Sequence, residues 1–135
     1  MIVKDAESIR QLGEEIAKDL RPPVVIELVG DVGVGKSTLV QGIAHGLGVK
    51  EGVTSPSFTL VKEYIGSKYN LAHYDFYRLN DPGILTEDLN EKMQDQNTIT
   101  IIEWGQSIKD FLPKEHIVIN IKYHDDGSRE VEIEK

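Results

Sequence analysis

The residues Gly30-Asp31-Val32-Gly33-Val34-Gly35-Lys36-Ser37-Thr38 follow the pattern GxxxxGK[ST], whose chemistry is the grip of a nucleoside triphosphate together with Mg²⁺. Gly33 and Gly35 let the backbone turn its N–H groups toward phosphate oxygens with no Cβ in the way. Asp31, Val34 and Thr38 belong to the same cradle. A helix opening near Lys36 adds its positive end to the same anion. Lys36 is placed to reach the β- and γ-phosphates as a point charge, and the Ser37 hydroxyl to ligate Mg²⁺.

A Mg²⁺–triphosphate site also needs a carboxylate near the metal, at the end of a strand beside the phosphate-loop strand. Ile99-Thr100-Ile101-Ile102-Glu103-Trp104 is an apolar run ending in such an acid. Glu103 is therefore the candidate to hold the metal or its water, or to polarise an attacking water. A carboxylate among apolar neighbours is costly without a cation; a glutamate at the strand end facing solvent is the plainer alternative. His73-Tyr74-Asp75-Phe76-Tyr77-Arg78 is the other dense cluster. In a strand, His73, Asp75 and Tyr77 share a face. Asp75 could support a metal or orient a water, with His73 hydrogen-bonded to it, and Arg78 could neutralise charge. An ordinary surface pair with two packing aromatics fits the spacing equally well. Val53-Thr54-Ser55-Pro56-Ser57-Phe58, hydroxyl-rich and held extended by its proline, stands where nucleotide switches contact a γ-phosphate, or is a plain loop.

These residues need a scaffold, and the hydrophobic pattern supplies one. Val24 to Val29 is the unbroken apolar run of a buried parallel strand. Leu39, Ile43, Ala44 and Leu47 recur at helical spacing, with stop signals at Gly46 and Gly48. Before them, Ile9, Leu12, Ile16, Ala17 and Leu20 predict a helix within Asp5 to Leu20, ended by Arg21-Pro22-Pro23. Ile2-Val3 suits a short edge strand. Phe58 to Ile65 and Tyr69 to Tyr77 read as an antiparallel hairpin turning at Gly66-Ser67. A helix is expected from about Ile84 to Met93, a buried strand from Thr98 to Trp104, and a short helical segment up to Leu112. The tail alternates: Ile117, Ile119, Ile121 and Tyr123 share a face, then Asp125-Asp126-Gly127 turns. The returning strand sets Val131 and Ile133 against Glu130, Glu132 and Glu134. The sum is an α/β fold of the P-loop NTPase type, a mixed sheet with a parallel centre and antiparallel hairpins at its edges, flanked by helices.

The 135 residues suit a single domain. With neither a membrane-length apolar run nor a signal-like start, a cytoplasmic protein is expected. The absence of cysteine removes thiol catalysis and cysteine–zinc sites. The net charge of −8, with 15 scattered Lys and Arg residues, argues against a strong direct grip on nucleic acid. An acidic surface suits a basic protein partner better.

Taken together and in this order, the phosphate loop, Val53-Thr54-Ser55-Pro56-Ser57-Phe58-Thr59-Leu60-Val61, His73 to Leu79 and Ile101-Ile102-Glu103-Trp104 resemble the TsaE (YjeE) family of small bacterial P-loop ATPases. The resemblance covers nearly the whole chain. It implies ATP and Mg²⁺ as ligands and slow ATP hydrolysis. It also implies a role with the partner proteins TsaD and TsaB in making N6-threonylcarbamoyladenosine at tRNA position 37 in tRNAs that read ANN codons, the tRNA being met through the complex. By the same resemblance Lys36 and its neighbours bind phosphate, Ser37 and Glu103 serve Mg²⁺, and Asp75 supports hydrolysis. Thr54 to Phe58 is implied as a switch-like loop, Trp104 as a packing residue beside the metal carboxylate, and Ser8 and Arg129 as nucleotide contacts from the two ends of the chain. Gly83 to Asn97 and Gly105-Gln106 depart from the family pattern, which bears on partner contacts more than on the nucleotide.

A small-molecule kinase would need further cations to clamp its two substrates, and the chain has only Arg10, Arg21, Arg78 and Arg129 as arginines. A GTP switch would need an N-K-x-D element, which does not occur. A non-enzymatic, nucleotide-gated binding module remains as the alternative from a different class.

Overall fold

The computed structural model describes residues 1–30, 35–50, 61–76, 86–104, 109 and 112–134. Strand β1 (Ile2–Val3) leads into helix α1 (Ala6–Lys18), strand β2 (Val24–Val29) and helix α2 (Lys36–Gly46). The hairpin β3 (Val61–Tyr64) and β4 (Asn70–Asp75) follows, then α3 (Thr86–Gln94), β5 (Thr98–Glu103), β6 (Ile117–Tyr123) and β7 (Arg129–Glu134). The strands form one sheet in the order β1-β7-β6-β2-β5-β4-β3. Its centre is parallel, β6 with β2, β2 with β5 and β5 with β4. Its edges are antiparallel, β1 with β7, β7 with β6 and β4 with β3. The expected parallel centre with antiparallel hairpins at the edges is the observed arrangement.

Alternation along the central strands divides the interior in two. Ile26 and Leu28 of β2, Ile99 and Ile101 of β5, and Ile119 and Ile121 of β6 face α1 and α2. Val25, Ile102, Ala72 and Tyr74 face the other way and pack with Leu89 and Met93 of α3. A two-residue period therefore assigns each side chain to a layer, and continuous apolar runs such as Val24–Val29 result from both layers being covered.

Helix α1 starts where the Asp5 carboxylate accepts the Ser8 N–H at 2.8 Å, a cap of about 1 kcal/mol. Its stripe of Ile9, Gly13 and Ala17 lies against α2. Gly13 is required by that approach: a Cβ there would stand 2.6 Å from the Leu39 carbonyl oxygen and 2.8 Å from the Ile43 nitrogen. The two helices thus touch backbone to backbone, which brings the start of α1 to the start of α2.

The alternation expected in β7 is present, and one strand boundary needs correction. Ile133 shares its face with Val131 but is 41% exposed, whereas Val131 is buried. At this end of the sheet Ile133 pairs with Ile119 and lies outside the apolar cluster under the helices. The strand expected to run through Trp104 ends at Glu103, because Trp104 takes a left-handed backbone with φ 57°. Phe58–Leu60, Tyr77, Ile84–Leu85 and most of the short segment before Leu112 lie outside the described residues. Among the described residues no helix is long and apolar enough to cross a membrane.

Candidate functional site

The carboxyl ends of the parallel strands β2, β5 and β4 lie side by side, and α2 begins beside them. Register places Leu28 opposite Glu103 and Glu103 opposite Asp75. The Phe76 N–H donates to the Glu103 carbonyl at 3.1 Å, which holds the ends of β4 and β5 level. In open α/β sheets this edge is where ligands bind.

Helix α2 opens on Gly35, whose φ of 116° belongs to glycine, and no side chain among the described residues caps it. A Cβ at Gly35 would meet the Ile9 Cδ1 at 2.9 Å and would lie 3.6 Å from the Arg129 side chain. No acidic residue stands in the first turn of α2. An uncapped helix start leaves inward N–H donors and a positive dipole end with nothing of opposite sign from the helix itself. Ser37 is exposed in that turn and Thr38 is half-buried.

Lys36 is unusual for a lysine in being only 6% exposed. Its ammonium donates to the Gly30 carbonyl at 2.6 Å, stands 3.5 Å from Glu103 Oε1 and lies 4.4 Å from the centre of the Trp104 ring. The left-handed turn at Trp104 occurs where the indole forms one wall of this pocket. A bulky residue with positive φ is a local strain that the surroundings must hold in place.

Glu103 is buried, so its facing solvent is excluded. Its second oxygen, Oε2, is 2.5 Å from His73 Nε2. Burial by itself pushes the carboxyl pKa up, but the His73 hydrogen bond and charge, followed by Lys36, outweigh it and hold the group below the usual glutamate value of 4.5. Glu103 therefore stays ionised, with one oxygen on His73 and the other toward Lys36.

The pairing of His73 corrects the expectation that it would bond Asp75. In a parallel pair with Asp75 opposite Glu103, His73 stands opposite Ile101, one diagonal step from Glu103 and on its face. Two residues apart on one strand, His73 and Asp75 point the same way side by side, whereas Glu103 reaches across to the imidazole. Asp75 itself is half-buried at the end of β4. Register, which spacing along one strand does not contain, was the missing signal.

Ser8 is half-buried in the first turn of α1, next to Ile9, the residue that touches Gly35. Arg129, at the start of β7, also reaches Gly35, and its guanidinium carbon lies 5.0 Å from the Tyr123 ring centre. Its Nε is buried without a hydrogen-bond partner among the described residues. Ile9 and Arg129, far apart in sequence, thus approach the start of α2 from two elements, while Ser8 gives its N–H to Asp5. Asp31, Gly33, Val34, Thr54 and Arg78 lie outside the described residues.

Whether such a site suits a triphosphate with Mg²⁺ turns on its donors. A buried cation, an uncapped helix start and a Cβ-free Gly35 suit a polyanion. For the metal, no group of three or more His, Asp or Glu side chains that could hold an ion occurs among the described residues. Mg²⁺ is ordinarily held by one or two protein oxygens plus phosphates and water rather than by a side-chain cage. An ionised Glu103 with the hydroxyl of Ser37 suits that mode.

The family model for the threonylcarbamoyl adenosine biosynthesis protein TsaE matches residues 3–131 of this chain. A tRNA threonylcarbamoyladenosine biosynthesis protein TsaE from Nostoc sp. is 38% identical over 136 residues, covering 98% of this chain and 83% of that protein. The protein of the same name from Bacillus subtilis is 37% identical over 127 residues, covering 93% of this chain and 78% of its own. Among solved structures, the crystal structure of YdiB from Bacillus subtilis superposes with a TM-score of 0.83 at 32% identity, over 97% of this chain and 80% of that one.

Proposed function

This chain belongs to the TsaE family, and from that premise we propose that it is an ATP-binding, slowly ATP-hydrolysing accessory protein of tRNA threonylcarbamoyladenosine biosynthesis. The observation that carries the reading is the buried Lys36–Glu103 pair at the uncapped start of α2. In this reading Lys36 leaves the Gly30 carbonyl for the β- and γ-phosphates, while the first N–H groups of α2 meet their oxygens. Asp31, Gly33, Val34, Gly35 and Thr38 complete the cradle. Ser8 and Arg129 would bound the nucleotide on the side of α1 and β7, and Thr54 would serve as its contact at the γ-phosphate end.

Ser37 and Glu103 would hold Mg²⁺, whose contribution is to neutralise phosphate charge. Asp75, level with Glu103 at the neighbouring strand end, would accept a hydrogen bond from a water and orient it toward the γ-phosphate. Trp104 walls the pocket and keeps solvent from the Lys36 ammonium. Removing that water strengthens each charge–charge contact within.

The partners in this reading are TsaD and TsaB, in the cytoplasm. The tRNA, one that reads ANN codons, is engaged through the complex, in keeping with a net charge of −8. The test is a pull-down with purified TsaD and TsaB, with and without ATP and Mg²⁺, followed by an ATPase assay of what is recovered. Recovery that depends on ATP, with faster hydrolysis in the complex than by this chain alone, is the expected result. Recovery indifferent to ATP and no hydrolysis in either sample would contradict it.

A further inference from the structure

His73 is only 1% exposed, and its Nδ1 has no hydrogen-bond partner among the described residues. Its single described polar contact is Nε2 to Glu103 Oε2 at 2.5 Å. A buried imidazole that leaves one nitrogen without a partner carries a desolvation cost that an apolar residue at the same place would not. Its neighbours on that face, Leu71 on β4 and Ile101 on β5, are apolar and fully buried. Packing alone would be served by a third apolar side chain.

The two oxygens of Glu103 are unequal. Oε2 is committed to His73, whereas Oε1 stands 3.5 Å from the Lys36 ammonium, beyond a short charge-assisted contact. Lys36 meanwhile makes its close bond to Gly30 at 2.6 Å. Without His73, Lys36 would be the cation left to Glu103 among the described residues, and the carboxylate would turn toward it. That turn would withdraw an oxygen from the mouth of the site and hold the lysine needed by phosphate.

We propose that His73 is a positioning residue: through Nε2 it fixes the Glu103 side chain so that Oε1 faces the start of α2, available to a divalent cation, and keeps Glu103 from closing further on Lys36 than the present 3.5 Å. The inference rests on the ATP–Mg²⁺ reading of the site. Partners of this kind, which orient a ligand without touching the ion, change metal affinity by about 10- to 100-fold when removed.

The test measures binding, not turnover. Mn²⁺ serves as the probe, its occupancy followed by electron paramagnetic resonance in the presence of ATP. ATP affinity without metal is measured in parallel by calorimetry. His73→Leu removes the donor and fills the space; His73→Gln returns an amide N–H close to the position of Nε2. The expected result is a 10- to 100-fold loss of Mn²⁺ affinity in His73→Leu, metal-free ATP affinity changed less than fivefold, and recovery to within fivefold of the parent in His73→Gln. Mn²⁺ affinity within fivefold of the parent in His73→Leu would overturn the inference. A loss in His73→Gln as large as in His73→Leu would do the same. Should His73→Leu fail to fold, His73→Gln decides alone: less than fivefold loss supports the role and fivefold or more refutes it. A parent chain that binds no ATP at all would remove the functional reading and this inference together, whereas a parent that binds ATP beside an indifferent His73→Leu removes only the inference.

Discussion

Glu103→Gln isolates the charge at the centre of the site with almost no change of volume. In the parent, Glu103 is 4% exposed and its carboxylate lies between His73 Nε2 at 2.5 Å and Lys36 Nζ at 3.5 Å. The amide keeps one acceptor oxygen for His73 but leaves the buried Lys36 ammonium without its anionic partner. Losing one member of a buried ion pair costs about 3–5 kcal/mol. Lys36 retains the Gly30 carbonyl at 2.6 Å and the Trp104 ring at 4.4 Å, so the expectation is the lower end, about 3 kcal/mol. With a urea m-value of about 1–3 kcal/mol/M, the unfolding midpoint of the nucleotide-free protein falls by about 1–3 M. The assay is urea unfolding followed by circular dichroism, with m compared between variant and parent.

The same pair predicts a pH dependence. The Glu103 carboxyl lies lower in the folded chain than its ordinary value of 4.5, so its contribution is complete above that value and is lost as pH falls through the depressed one. The stability gap between parent and Glu103→Gln is therefore full near neutrality and closes in acid. A gap below about 0.5 kcal/mol at neutral pH, the range of ordinary surface changes, would refute the reasoning, as would a gap that widened in acid.

Three further outcomes follow from other parts of the fold. Gly13→Ala sets a Cβ 2.6 Å from the Leu39 carbonyl oxygen, and separating α1 from α2 outweighs the gain of about 1 kcal/mol in helix propensity; a fall in Tm of about 3–8 °C is expected by calorimetry, and a rise would contradict the close packing. Tyr74 is buried and donates to Asp88 at 2.6 Å, and burial first, then Asp88, pushes its phenol above the usual value of 10, so stability should decline more steeply above about pH 10 in the parent than in Tyr74→Phe. Absorbance of the folded parent showing phenolate at Tyr74 near pH 10 would exclude that environment. The isolated chain, with net charge −8, should bind tRNA only weakly at physiological salt, and a sub-micromolar dissociation constant by filter binding would overturn that expectation.

Much of this arrangement was legible in the residues themselves. Val24–Val29 and Thr98–Glu103 read as buried strands because both of their faces are covered, and apolar runs of that kind have few other uses. Glu103 stood out because an acid at the end of such a run needs a cation. What stayed hidden depends on how separate segments meet. The His73–Glu103 contact follows from the register of β4 on β5, which no spacing within His73–Arg78 encodes. The role of Gly13 emerges only when α2 is laid against α1. Trp104, read as the last strand residue and, by resemblance, as packing beside the carboxylate, takes a left-handed backbone with its ring 4.4 Å from the Lys36 ammonium, which no local pattern encodes. Ile133 alternates with Val131 as read, and how far the covered layer extends along that face is set by the helices above it.

The central claim is that the start of α2, with Lys36, is a nucleoside triphosphate site. Calorimetric titration of ATP with Mg²⁺ into the parent and Lys36→Ala tests it most directly. Saturable one-to-one binding by the parent, weakened at least about 10- to 100-fold when the charged hydrogen-bond donor is removed, is the predicted result. Equal affinity of the two proteins for ATP would contradict the account.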